Sequence, residues 1–201
     1  MLEAMLSSKA IPKIVLPDSF MGEVLAANFI TATAMAAAIG LTPGTLMNNT
    51  TAWLKFSSNG KTLYIPKKCI RNDISWEQLD ALGCVLGSKT ISIGGLTYKV
   101  RLMTGAPTDP SDVGGGEYTS LLSRTSMFYP WAVARWASYT ATDLGYTGTN
   151  TNGNMTLVKE AHSNNSGHIA RGYPSFLDVW YQVPNSTNSG YGWRPVLELV
   201  E

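Results

Sequence analysis

The stretch TAWLKFSSNGKTLYIPKK, Thr51 to Lys68, constrains the fold more than any other part of the 201-residue chain. Apolar and polar side chains alternate on both sides of Asn59-Gly60, a dipeptide that accepts the positive backbone angles of a two-residue hairpin turn. A β-hairpin is expected here, and with it a body built largely from antiparallel sheet. Its lysines, Lys55, Lys61, Lys67 and Lys68, together with Arg71, read as a solvated hairpin face rather than a binding site.

The flanking segments extend this reading. ISWEQLDALG opens with Ser75 and carries Gln78 three residues on, the spacing of a capping box, with Trp76, Leu79 and Leu82 on one face and Gly83 as a stop. TISIGGLTYKVRLMTG reads as strand, Gly94-Gly95 turn, strand. GGGEYTSLLSR reads as a second helix reached through glycines, while YPWAVARWASYTATDLG fits helix or loop. From Gly145 onward four strand-sized pieces, NMTLVKEAH, HIARGYP, DVWYQVP and GWRPVLELV, alternate with Asn, Gly, Ser and Thr loops of turn chemistry. Near the start, Val24 to Leu41 approaches the ~20 residues of a membrane span, but its apolarity is mostly alanine and it holds Asn28, Thr31 and Thr33. It is expected to be a packing helix, capped by Asp18 or Ser19 and stopped by Gly40 and Pro43, either in the core or against another subunit. The composition changes after TPGTLMNNT, so residues 1–50 are expected to be an N-terminal extension and assembly anchor, and residues 51–201 the main domain.

Charge and cysteine content narrow the chemistry. A charged fraction of 14% and a formal net charge of +1 provide no field for nucleic acid or an acidic membrane, so neither is an expected partner. The opening has no secretory-signal layout, which fits synthesis in a cytoplasm. Cys69 and Cys84 lie in apolar contexts, as two buried thiols or one bridge, and a domain this size needs no staple. GCVLGSKT, Gly83 to Thr90, matches a phosphate loop except at Ser88, yet a helix precedes it and a strand follows, the reverse of the order a phosphate loop requires. VGGGE is ringed by Asp109, Asp112 and Glu117, which would repel an anion. His162 and His168 lack the nearby ligands of a zinc site, and neither cysteine has the polar surroundings of a nucleophile. No catalytic residue, metal or cofactor is assigned.

Set beside the middle of the chain, the ending carries a resemblance. YKVRLMTG puts Arg101 on a strand, GGEYTSLL puts Glu117 at the start of a helix, and GWRPVLEL leads a final strand with Trp193, Arg194 and Pro195. Together with WLKFSSNGKTLYIPKK and ISWEQL, these residues resemble a module of tailed-bacteriophage virion structural proteins with a C-type-lectin-like domain, in the branch of formylglycine-generating enzymes and phage tropism determinants. The resemblance covers about residues 52 to 201. It implies an α+β fold of antiparallel sheets with two short helices and long loops. The calcium-and-sugar motifs of true lectins are absent, and no cysteine follows Cys84, which disfavours the enzyme branch.

From this follow definite expectations. Val196, Leu197 and Leu199 should form a closing strand against Trp53 to Phe56, with Pro195 at its start, where no ladder donor is missed. Arg194 should be held by Glu117 or Glu198, or else be solvated. Trp53, Arg101, Glu117, Trp193, Arg194 and Pro195 are the expected structural residues. Tyr173, Phe176, Asp178, Trp180, Tyr181 and Tyr191 are the candidate ligand-binding set, with a core position as the competing reading for about half. The resemblance implies a non-enzymatic virion protein in a tail, fibre or head-decoration position, contacting other virion proteins through residues 1–50 and expected to be a homo-oligomer. A receptor-binding adhesin facing a host-surface glycan or protein is the alternative, and a relative of formylglycine-generating oxidases a third.

Overall fold

The computed structural model of the chain describes residues 17–106, 116–162 and 167–200. Gly114, Gly115, Asp109 and Asp112 lie outside them, as do residues 1–16 of the expected anchor. The fold is α+β, mostly strands in two six-stranded sheets with a few short helices.

The first described element is not a helix. Ser19–Val24 is a strand, β1, antiparallel to Trp53–Ser58 (β3), with a bulge at Met21 where Gly22 takes a φ of 100°. The expected helix from Val24 to Leu41 shrinks to Ala32–Ile39 (α1), capped by the Thr31 hydroxyl, which accepts from the Ala34 amide at 3.2 Å, and closed by Gly40 in the left-handed region. Tertiary contacts override alanine's helix propensity upstream: Phe20 packs on Phe56, Phe29 stacks on Tyr64 at 4.4 Å, and the Trp53 indole donates to the Ile30 carbonyl at 2.8 Å. Thr45–Leu46 (β2) then joins the second sheet.

The hairpin appears as the alternation requires. β3 pairs residue for residue with Lys61–Pro66 (β4) about Asn59 and Gly60, both at positive φ. Arg71–Asn72 (β5) leads to Trp76–Ala81 (α2), whose capping box has Ser75 and Gln78 bonded both ways. Leu86–Ile93 (β6) and Leu96–Arg101 (β7) form the second hairpin over Gly94-Gly95. The expected second helix is a π-helical turn, Tyr118–Leu122, tightening to a 3₁₀ turn at Ser123–Thr125. The ambiguous aromatic stretch resolves into a 3₁₀ turn at Ala132–Ala134 and a one-turn helix, Ala141–Leu144 (α3), with a Thr140/Asp143 capping box. Met155–Ala161 (β8), His168–Arg171 (β9), Val179–Gln182 (β10), Tyr191–Trp193 (β11) and Val196–Leu199 (β12) complete the strands.

Strand order is β1-β3-β4-β12-β7-β6 in one sheet and β10-β9-β8-β11-β5-β2 in the other. GWRPVLELV is therefore two strands, one in each sheet, and β12 lies between β4 and β7 rather than beside Trp53 to Phe56, whose free edge β1 occupies. One pairing, β11 with β8, is parallel, where only antiparallel pairs were expected. Alternation along β12 sends Leu197 into a cluster with Trp53, Met35, Ile39, Ile70 and Trp193, and Val196 into a second with Leu54, Phe56, Ile65, Tyr118 and Ile169.

The crossing between the sheets is held by Arg194, whose side chain is not on a carboxylate. It is 3% exposed and donates to the carbonyls of Lys67 (3.1 Å) and Leu144 (2.7 Å). Both expected partners are committed elsewhere, Glu117 to Arg101 and Glu198 to Arg101 and Lys61. Leu144 ends α3, so its carbonyl is one of those a helix leaves unbonded, at the end that favours a cation. Cys69 and Cys84 are free, buried thiols.

Two outcomes are expected from this architecture. A chain starting at residue 46 loses β1 and α1, including the fully buried Met35 and Ile39; it should show no cooperative thermal transition by circular dichroism, whereas a chain starting at Pro17 should. Arg194→Lys should fail to restore the stability lost in Arg194→Ala, because an ammonium lacks the planar fork that presents one nitrogen to each of two carbonyls; a loss of about 2–4 kcal/mol in urea melts is expected for both.

Candidate functional site

The residues singled out for ligand contact divide between edge and core. Among the described residues β10 is the outermost strand of its sheet, paired with β9 alone (Trp180 opposite Ala170, Gln182 opposite His168). Tyr173 meets Trp180 edge to face at 5.2 Å, and Trp180 lies nearly parallel to Tyr181 at 5.7 Å. Tyr181 is exposed, while Tyr173 and Trp180 are half-buried and pack against the first core cluster, so the three rings form an aromatic strip that runs from the core out to the edge strand. Tyr191 supports it from below, almost buried, its hydroxyl donating to the Tyr181 carbonyl at 3.0 Å. Phe176 does not join them. It is 3% exposed in the second cluster, stacked on Phe128 at 5.0 Å. Asp178 serves the backbone, accepting from the Ser175 amide at 3.0 Å.

Sequence reasoning did not connect four further residues with this edge. Trp76, at the start of α2, stacks on His168 with ring centroids 3.6 Å apart, and His162 meets Tyr181 at 5.8 Å. Gln182 is fully buried, and its amide donates to the Ser186 carbonyl. Nothing in the sequence links residue 76 with residue 168; the link is made by the Glu77 amide, which donates to the Pro184 carbonyl at 3.1 Å and ties α2 to the loop after β10. That Asn/Ser/Thr loop is further pinned where Asn72 and Gly153 donate to the Ser189 carbonyl. Such a strip suits the apolar face of a sugar ring or another flat group, with amide and hydroxyl groups of the loop alongside.

A second arrangement of charged groups serves the scaffold. Arg101, on β7, grips Glu117 through both terminal nitrogens, at 2.6 and 2.7 Å, and donates from Nε to Glu198 on β12 at 2.9 Å. Glu117 also accepts from the Thr104 amide, and Lys61 pairs with Glu198 from β4. Burial alone would raise the Glu198 carboxyl, but hydrogen bonds and charge from Lys61 and Arg101 outweigh it and hold the group below the usual carboxylate range. Glu23 shows the same balance of burial against Lys67 and Tyr139. Burial pushes Glu160 the other way, up, against a hydrogen bond from the Gly105 amide.

Burial also pushes the Cys84 thiol up to about 11 and the His168 imidazole down. A thiol so placed is a poor nucleophile at neutral pH. Among the described residues no group of three or more His, Cys, Asp or Glu side chains is placed to hold a metal ion, and no helix is long and apolar enough to cross a membrane. No protein-family model, curated protein or solved structure matches the chain.

Arg101→Met should cost about 2–3 kcal/mol, because half-buried Glu117 would lose its cation and Glu198 would keep Lys61 alone. For Glu198 and Glu23, folded below their unfolded values, the stabilising contribution is complete above the ordinary carboxylate range and is lost as pH falls through the folded value. Glu160, folded above its unfolded value, has the opposite sign. Urea midpoints followed from neutral pH into acid should therefore fall, and Glu198→Gln should flatten that decline.

Proposed function

We propose that this chain is a non-enzymatic structural protein of a tailed-bacteriophage virion, in a tail, fibre or head-decoration position, whose two-sheet body is a C-type-lectin-like display domain. The observation that carries the reading is the aromatic strip of Tyr173, Trp180 and Tyr181 on an open sheet edge, on a scaffold whose ionisable groups are spent on structure. Arg101, Glu117 and Glu198 bond one another, Glu160 accepts from a backbone amide, and the Cys84 thiol is buried. None of these groups is left to do acid-base or nucleophilic work. The motifs that carry the resemblance fall on the elements that build the scaffold: the β3–β4 hairpin, the α2 cap, the Arg101–Glu117 pair and the final crossing.

This reading keeps the contacts with other virion proteins within residues 1–50, of which residues 19–46 also supply β1, α1 and β2 to the two-sheet body. The exposed ring of Tyr181 favours a second reading, in which the same domain is a host-receptor adhesin and this edge meets a surface glycan.

Mass spectrometry and antibody decoration of purified particles should find this chain on the virion surface; a chain absent from particles overturns the reading. Particles carrying Trp180→Ala with Tyr181→Ala should assemble in normal yield. If they also adsorb to host cells at least about tenfold more slowly, the adhesin reading holds, a factor within reach of losing two aromatic contacts; unchanged adsorption leaves the structural role alone.

A further inference from the structure

The loop after the π-helical turn presents an apolar tip with unusual firmness. Met127, Trp131 and Val133 are 49%, 61% and 101% exposed, and Pro130 and Ala132 are exposed beside them. A protruding apolar group on a folded surface calls for a contact. The tip is braced from within. Arg124 donates from Nε and Nη2 to the Ala134 carbonyl, both at 3.1 Å, and Arg135 does the same to the Tyr129 carbonyl at 3.0 and 2.8 Å. Arg124 also lies 3.9 Å over the Trp136 ring. The Trp131 and Ala132 carbonyls accept from the Ala134 and Arg135 amides. Phe128 anchors one flank against Phe176, and Trp136 anchors the other against Phe56.

From these features we infer that the 127–134 tip inserts into the interfacial region of a lipid bilayer carrying anionic headgroups. Three observations select this occupant. The carbonyls of Tyr129, Trp131, Ala132 and Ala134 all have donors within the loop, which lowers the cost of moving that part of the backbone out of water. The tip carries an exposed Trp131 beside a half-buried Tyr129, side chains suited to the boundary between headgroups and acyl chains. The charges within the segment itself have one sign: between Glu117 and Asp143 the sequence contains no Asp or Glu, only Arg124 and Arg135. Against a second copy meeting tip to tip, those arginines would face their own kind; against anionic headgroups they are complementary. Whole-chain charge hides this feature, because the formal net charge is only +1.

The test uses the full chain with vesicles of phosphatidylcholine alone and of phosphatidylcholine containing phosphatidylglycerol. Flotation should show partition favouring the mixed vesicles and weakening with added salt. Val133→Asp, at a position too exposed to disturb folding, should reduce partition by about tenfold or more, while Leu86→Asp, equally apolar and 72% exposed on β6, should leave it unchanged. Brominated acyl chains should quench wild-type tryptophan fluorescence more than that of Trp131→Phe. Failure to float with either vesicle, or partition indifferent to Val133→Asp, overturns the inference. So does a drop in sedimentation mass caused by Val133→Asp without vesicles, which would assign the tip to a second copy of the chain.

Discussion

The Arg194 guanidinium is the constraint on which the rest depends. It bonds the carbonyl of Lys67, just past β4, and that of Leu144, at the end of α3, and so fixes the corner where the chain leaves one sheet and enters the other. On either side of that corner the strands are interior: β11 lies between β8 and β5, β12 between β4 and β7. Pro195 falls in the two-residue step between β11 and β12, where its missing amide donor costs neither ladder a bond. A carboxylate partner would have added charge to a place that already supplies two unbonded carbonyls, and carbonyl acceptors suit a planar, five-donor cation equally well.

The Arg101 network does for one sheet what Arg194 does between them. Arg101 on β7 and Lys61 on β4 both reach Glu198 on the intervening β12, so a single carboxylate joins three adjacent strands from their shared face. Glu117 extends this to the start of the π-helical turn. The buried charged side chains Arg71, Arg171, Arg194 and Glu198 are thus structural, while charged residues such as Lys61, Glu77, Asp80 and Lys99 remain at the surface.

Local chemistry was legible where a turn or cap dictates it. Asn59-Gly60, Gly94-Gly95 and the Ser75/Gln78 box each specify backbone geometry within four residues, and each is found as read. Arg101 and Glu117 each stand out in the sequence as structural residues, but their pairing does not, since Glu117 is there expected to hold Arg194. Long-range pairing was not legible. Alternation in Val196–Leu199 says that the segment is a strand but not which strand receives it, since several apolar neighbours would serve. The Ala-rich stretch misled because helix propensity is a weak prior against Phe20 and Phe29 finding ring partners far along the chain. Within the candidate site, the adjacency of Tyr173, Trp180 and Tyr181 follows from their closeness in sequence, whereas the Trp76–His168 stack and the burial of Phe176 depend on packing that no local signal encodes.

Placing β11 and β12 at the centre of both sheets also governs the order in which the molecule can form. Without them, one sheet separates into β1-β3-β4 and β7-β6, and the other into β10-β9-β8 and β5-β2. These fragments can arise from near neighbours while the polypeptide is still emerging from the ribosome. Their union must wait until residues 191–199 have been synthesised, so the nascent chain passes through a stage with four sets of unpaired strand edges, open to premature association, before a late zippering step closes the structure.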